Sequence, residues 1–181
     1  HLEYGFSCMG YEIAGGIGMK LAQPGRDVVV MVGDGSYMMA NSELATSVML
    51  GVKLTIVLLD NRGYGCINRL QHACGGERFN NLYDYNTKHD VSPAIDFVAH
   101  ARSQGAIAVK AASLADLEKA LTEAKSNTRT TVVVIDTDPM TSTDAGGFWW
   151  DVAVPEVSVR PQVADARKKY EKALEKQRIG D

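Results

Sequence analysis

Short apolar runs alternate along this chain with longer segments of helical periodicity. The run from Asp27 to Val32, "DVVVMV", is rich in β-branched residues and has one polar residue, which is typical of a strand buried on both faces. The runs from Lys53 to Asp60, Ala106 to Ala111 and Thr130 to Asp138 have the same character. We therefore predict four strands.

Helices are predicted between the strands from apolar spacing, capping residues and glycine or proline stops. The run from Ser113 to Ser126 begins at a capping serine and is amphipathic, and the run from Ala40 to Gly51 has an Asn or Ser cap with an acid in its first turn. Three more helices are predicted: Met9 to Gly25, rich in glycine; Ser92 to Gly105, with proline in its first turn; and the charged tail from Val163 to Arg178.

Almost wholly apolar strands that alternate with helices predict an α/β fold, a doubly wound parallel sheet with helices on both faces. The polar stretch from Asn61 to Val91 shows little periodicity and contains clusters of glycine and asparagine, so we predict a loop-rich segment there.

The composition limits the classes of function. A chain of 181 residues that is 45% hydrophobic suits one domain with a sizeable core. The net charge of -3 and the pI near 5.8 predict no nucleic-acid partner. The apolar runs are far shorter than the ~20 residues that span a bilayer, so we predict no membrane segment and a cytoplasmic protein.

Polar residues follow two of the predicted strands directly. Gly33-Asp34-Gly35 ends the first strand, and Asn61 follows the second within the run "DNRG" at residues 60–63. Ligands of doubly wound sheets bind outside the carboxyl ends of the strands. The Asp34 carboxylate, the Asn61 amide oxygen and a turn carbonyl suit Mg²⁺, which completes its octahedron with water and phosphate oxygens. We predict a magnesium-bridged phosphate or diphosphate site, although either turn alone also fits an ordinary loop.

This pattern resembles the signature of thiamine diphosphate-dependent enzymes, which runs from Gly-Asp-Gly to a closing Asn. In that family the Asp and Asn side chains bind Mg²⁺, and the residue two positions after the Asn binds through its carbonyl. The resemblance assigns these roles to Asp34, Asn61 and Gly63. The family's Asn-Asn pair is here Asp60-Asn61, which keeps the ligand position.

The run "SCMGYEIAGGIG" at residues 7–18 is similar to the family's segment that contacts the aminopyrimidine ring. The resemblance implies that Met9 supports the bent cofactor and that the Ser7 carbonyl accepts a hydrogen bond from the amino group; plain helix packing is the alternative for Met9. The implied cofactor-binding set is Ser7, Met9, Gly33, Asp34, Gly35, Ser36, Asn61, Gly63, Tyr64 and Gly65.

Longer runs, "EYGFSCMGYEIAGG", "DNRGYGCINRLQ" and "GFWWDVAVPEVS", resemble family members that hydrolyse a cyclic 1,2-diketone in myo-inositol catabolism. The resemblance implies thiamine diphosphate and Mg²⁺ as cofactors and opening of a six-membered ring to 5-deoxy-D-glucuronate. Two alternatives stay open: a carboligase or decarboxylase of the acetolactate synthase type, and a non-catalytic module that binds magnesium diphosphate.

Members of this family activate the cofactor with a glutamate from a separate pyrimidine-binding domain, usually donated by a neighbouring subunit. We identify no such glutamate in this chain, and Glu12, three residues after Met9, is better interpreted as a surface or capping residue. The chain also begins without methionine. We expect residues 1–181 to be a single cofactor domain excised from a longer chain, inactive alone, that works with an N-terminal pyrimidine-binding domain in a homo-oligomer.

Overall fold

The computed structural model describes residues 8–86, 94–141 and 152–177. The strands in these ranges are β1 (Val29–Gly33), β2 (Thr55–Asp60), β3 (Ile107–Ala111) and β4 (Thr131–Asp136). The helices are α1 (Glu12–Ala22), α2 (Asp34–Met39), α3 (Ser42–Met49), α4 (Gly65–Ala73), α5 (Tyr83–Asn86), α6 (Phe97–Ser103), α7 (Leu114–Ser126) and α8 (Pro161–Leu174). No helix in the described ranges is both long enough and apolar enough to cross a membrane.

The four strands form one parallel sheet in the order β1-β2-β4-β3. Gly33 lies beside Leu59, and Asp60 lies beside Asp136, so the carboxyl ends of β1, β2 and β4 meet at one edge of the sheet. This register brings the residue after Gly33 level with the end of β2, which is why the two polar turns come together.

Apolar side chains cover the sheet on both faces. On one face, helices α1, α3 and α6 pack against the strands, and Ile17, Leu44 and Phe97 are buried with alternate residues of β4. On the other face, Ala120 of α7 packs against Val133. The chain crosses the sheet in one direction from β1 to β2 and in the other direction from β3 to β4. Because crossovers between parallel strands are right-handed, the helices of these two connections lie on opposite faces of the sheet. The predicted doubly wound α/β fold is confirmed.

Strand β1 is buried on one face only. Val30 and Val32 lie in the core, whereas Val29 and Met31 are 58% and 65% exposed. Among the described residues, β1 pairs only with β2, so its outer edge is open. The strand predicted to be buried on both faces is therefore half uncovered in this chain.

Two predicted helix starts differ from the structure. Asn41 occupies the capping position of α3, but its side chain does not cap the helix and instead donates to the Met38 carbonyl. The helix predicted from Ser92 begins at Phe97, where the Asp96 side chain accepts from the Ala99 N–H. The predicted proline in its first turn lies outside the described residues.

The segment predicted to be loop-rich contains helices α4 and α5. Helix α4 was missed because its sequence, "GCINRLQHA", is only nine residues long and opens with a glycine, which is a poor helix former. Helix α2 was missed because it is only six residues long and starts at Asp34 without a preceding loop. Both helices begin at the carboxyl edge of the sheet.

A buried cluster of hydrogen bonds around Thr130 connects α3 to the start of β2. The Thr130 hydroxyl accepts from the Leu54 N–H at 3.1 Å, donates to the Val52 carbonyl at 3.2 Å and lies 3.0 Å from the Ser47 hydroxyl. Thr130 is 1% exposed, so no solvent replaces these partners.

We predict that Thr130→Val lowers the free energy of unfolding by about 1–3 kcal/mol, because valine has the same shape but leaves the Leu54 N–H without an acceptor. Denaturant unfolding monitored by circular dichroism measures this change. Thr130→Ser, which keeps the hydroxyl, should lose less stability than Thr130→Val. The reverse order would contradict the conclusion that the hydrogen bonds of Thr130 stabilise this region.

Candidate functional site

The Asp34 carboxylate connects the ends of two strands. Asp34 is 0% exposed and is the first residue of α2, directly after β1. Its Oδ1 atom accepts from the Asn61 N–H at 3.1 Å, and its Oδ2 atom accepts from the Gly63 N–H at 2.7 Å. The carboxylate therefore holds the turn after β2 against the start of α2.

Burial raises the pKa of Asp34 above its ordinary value, because a charge is poorly solvated inside the protein. The N–H groups of Asn61 and Gly63 oppose this effect by donating to the carboxylate, whereas the nearby Asp60 adds to it. A cation at the site would favour the ionised form. The electrostatic environment of Asp34 is thus suited to a positively charged ligand.

The turn after β2 has an unusual backbone. Arg62 has a φ of 66° and Gly63 a φ of 138°, a region that favours glycine. The Arg62 N–H donates to Asp60 Oδ1, the Arg62 carbonyl accepts from the Tyr83 N–H, and the guanidinium binds both oxygens of Asp84. These contacts with α5 stabilise the strained turn, which presents Asn61 and Gly63 towards Asp34.

Three oxygen donors suited to a hard cation lie around this turn. They belong to the Asp34 carboxylate, the Asn61 side chain and the Gly63 backbone. Asn61 Oδ1 accepts from the Gly65 N–H at 3.2 Å, and the Gly63 carbonyl oxygen lies 2.8 Å from the position that a Cβ atom on Gly35 would occupy. Carboxylate, amide and carbonyl oxygens fit Mg²⁺, which takes its remaining ligands from water and phosphates. The donor set therefore fits the predicted metal.

A cleft of about 440 Å³ opens beside these donors. It brings together eight of the ten predicted cofactor-binding residues, with Asp34 buried next to it, whereas Ser7 lies outside the described residues. The eight residues are Met9, Gly33, Gly35, Ser36, Asn61, Gly63, Tyr64 and Gly65.

The cleft also receives the first turn of α4, which the sequence did not predict. Gly65, Cys66 and Ile67 line it at the helix N-terminus, where N–H groups and the helix dipole favour an anion. A signal for this helix was present, since the apolar residues Cys66, Ile67 and Leu70 are spaced as on one face of a helix. The cleft thus combines oxygen donors suited to a cation with a helix start suited to an anion.

Met9 lines the same cleft from the corner before α1. Its side chain is 39% exposed and lines the cleft, so it does not occupy the helix core that was its alternative interpretation. Glu12 is half-buried at the first position of α1, and its Oε2 atom accepts from the N–H of Gly10, which precedes the helix, at 2.9 Å.

Comparison with known proteins gives a consistent result. Residues 1–136 match the family model described as thiamine pyrophosphate enzyme, C-terminal TPP binding domain. The chain is 41% identical over 175 residues to a 3D-(3,5/4)-trihydroxycyclohexane-1,2-dione hydrolase of Bacillus licheniformis, covering 97% of this chain and 27% of that protein. It is 40% identical over 177 residues to the protein of the same name in Halalkalibacterium halodurans, again with 97% and 27% covered. The chain thus spans about 27% of the length of these relatives.

Solved structures show the same fold. A thiamine diphosphate-dependent 4-hydroxybenzoylformate decarboxylase of Rhodococcus jostii RHA1 matches with a TM-score of 0.63 and 24% identity, covering 72% of this chain and 23% of that one. A benzoylformate decarboxylase of Polynucleobacter necessarius matches with a TM-score of 0.64 and 23% identity, covering 74% and 24%. The family match, which includes both polar strand ends, shows that this chain belongs to the thiamine pyrophosphate enzymes and carries their C-terminal TPP-binding domain.

Proposed function

We propose that this chain is the magnesium and thiamine diphosphate-binding domain of a hydrolase that opens 3D-(3,5/4)-trihydroxycyclohexane-1,2-dione to 5-deoxy-D-glucuronate in myo-inositol degradation. The observation that carries the proposal is the convergence of Asp34, the turn at residues 61–63 and Met9 on one cleft. Relatives 40–41% identical over 97% of the chain bear the name of this hydrolase.

The chain's own residues would bind and orient the cofactor. Asp34, Asn61 and the Gly63 carbonyl would hold Mg²⁺, and the N-terminus of α4 would donate to the diphosphate. Met9, which lines the same cleft, would support the cofactor in its bent form. Thiamine diphosphate itself supplies a carbon nucleophile and an electron sink for breaking a carbon–carbon bond. The domain therefore contributes positioning, which lowers the entropic part of the reaction barrier.

Further parts of a longer protein would complete this site. The chain spans about 27% of its relatives, and a groove of about 450 Å³ lies between α1 and β1, lined in part by the exposed Val29 and Met31. An exposed apolar face of this kind favours association. We infer that a pyrimidine-binding domain and a second subunit cover the open sides of this domain, that the activating glutamate comes from there, and that this chain alone is inactive.

The first test is calorimetric titration of the chain with thiamine diphosphate, with Mg²⁺ and then with EDTA. We expect Asp34→Asn to weaken magnesium-dependent binding by at least about 100-fold, because even outer-sphere partners of a metal contribute about 10–100-fold to affinity. Asp136→Asn is the matched control, since Asp136 ends β4 at the same edge of the sheet, beside Asp60, but does not line the cleft. Equal affinity in the parent and Asp34→Asn would contradict the metal assignment.

A second variant tests the close approach between α2 and the turn. A Cβ atom on Gly35 would lie 2.6 Å from the Tyr64 ring and 2.8 Å from the Gly63 carbonyl oxygen. We expect Gly35→Ala to reduce cofactor affinity by about tenfold or more and to cost about 1–3 kcal/mol of stability through overpacking. Gly18→Ala is the control, because no atom beyond the adjoining helix backbone lies within 4 Å of its Cβ position in α1, and it should raise stability by about 0.5–1 kcal/mol.

The reaction is tested by product analysis of the full-length protein that carries this chain. We expect ring opening of the cyclic diketone by that protein and no turnover by the chain alone. Carbon–carbon bond formation from pyruvate would instead identify a carboligase, and cofactor binding without turnover of either substrate would identify a non-catalytic binding module.

A further inference from the structure

Glu12 connects the corner that carries Met9 to the helix that carries Asp34. Its Oε1 atom accepts from the Ser36 hydroxyl at 2.6 Å, and its Oε2 atom accepts from the Gly10 N–H at 2.9 Å. The Gly10 N–H also donates to Ser36 Oγ at 2.8 Å. Gly10 and Glu12, which are two residues apart, thus form one closed set of hydrogen bonds with the distant Ser36.

The corner itself fits closely on α2. Gly10 has a φ of 93°, and a Cβ atom there would lie 3.1 Å from Met39 Cβ. Residue 10 is therefore held near α2 by both backbone conformation and packing. Because Met9 precedes Gly10 directly and lines the cleft, the position of Met9 depends on this contact.

A helix cap alone does not account for these contacts. The bond from Gly10 to Glu12 is local, as in many helix starts, whereas the bond from Ser36 spans 24 residues and crosses from α2 to α1. In this bond the Ser36 hydroxyl is the donor, so its proton is directed at the Glu12 carboxylate. Ser36 lines the cleft, but in this arrangement its hydroxyl supports the corner rather than donating to a bound ligand.

We propose that Glu12 is a positioning residue that sets the distance between Met9 and the diphosphate anchor around Asp34. The inference rests on the proposed function, in which these two residues serve opposite ends of one cofactor. Glu12 acts through Met9 and Ser36. It makes the corner and the anchor one rigid unit before the cofactor arrives, so less ordering accompanies binding.

Two ligands distinguish positioning from a general loss of structure. Magnesium with inorganic diphosphate requires only the anchor, whereas magnesium with thiamine diphosphate requires the anchor and the corner together. In the intact protein that carries this chain, we expect Glu12→Ala to weaken binding of thiamine diphosphate by about tenfold, as for loss of a hydrogen bond to a charged group. Diphosphate affinity should stay within about twofold of the parent value.

Three further variants complete the design. Glu118→Ala makes the same chemical change on α7, on the other face of the sheet, and should change neither affinity. Glu12→Gln keeps one acceptor for the Ser36 hydroxyl and should recover part of the loss. In a Met9→Ala background, Glu12→Ala should have less than about a twofold further effect, because two residues that act through one contact are not additive.

Each outcome decides between specific alternatives. Equal weakening of both ligands by Glu12→Ala would show a structural role only and overturn the inference, as would unchanged binding of thiamine diphosphate or full additivity with Met9→Ala. Thermal unfolding of each variant establishes that it is folded at the temperature of the titration. Absence of magnesium-dependent binding of either ligand by the parent protein would overturn the proposed function and this inference with it.

Discussion

The site depends on one buried carboxylate. Asp34 is fully buried, and both of its oxygens accept backbone N–H groups from the turn after the neighbouring strand. Two N–H donors stabilise the charge only in part, as the raised pKa of Asp34 indicates. Under the proposed function, a cation at the same carboxylate would supply the rest of the compensation.

The parallel sheet makes this arrangement possible. Because Gly33 lies beside Leu59, the chain leaves β1 and β2 at the same level and on the same edge. The turn at residues 61–63 then needs only a left-handed Arg62 and a glycine to return its N–H groups towards Asp34. The contacts of Arg62 with Asp84 and Tyr83 offset the strain of this turn. Helix α5 therefore has a structural role in the site, although it lies outside the signature that runs from Gly-Asp-Gly to Asn.

Much of the fold and the centre of the site were predictable from sequence, because both rest on strong local patterns. Four apolar runs predicted the strands, and the polar residues after two of them predicted which side chains meet. The helices that begin in the site were not predictable in the same way, since α2 and α4 are short and contain glycine. The glycines at residues 35 and 65 allow close packing against Tyr64 and Asn61. They make the two helices hard to predict from sequence, but the packing of the site requires them. The hydrogen bond from Ser36 to Glu12 joins residues 24 positions apart, and no local pattern indicates it.

The anchor by itself does not determine which reaction the complete protein catalyses. Decarboxylases with 23–24% identity share the fold, whereas relatives with 40–41% identity are named as hydrolases of a cyclic diketone. Since a fold serves many reactions, specificity must come from groups that the anchor does not include. Under the proposed function, such groups in this chain are the side chains of α4 that line the cleft beyond the turn at residues 61–63, Cys66, Ile67 and Leu70. They present thiol and aliphatic surface, which under the proposed function would shape a substrate and exclude water from it, whereas the one carboxylate among the described residues that line this cleft, Glu12, is held by Ser36 and the Gly10 N–H.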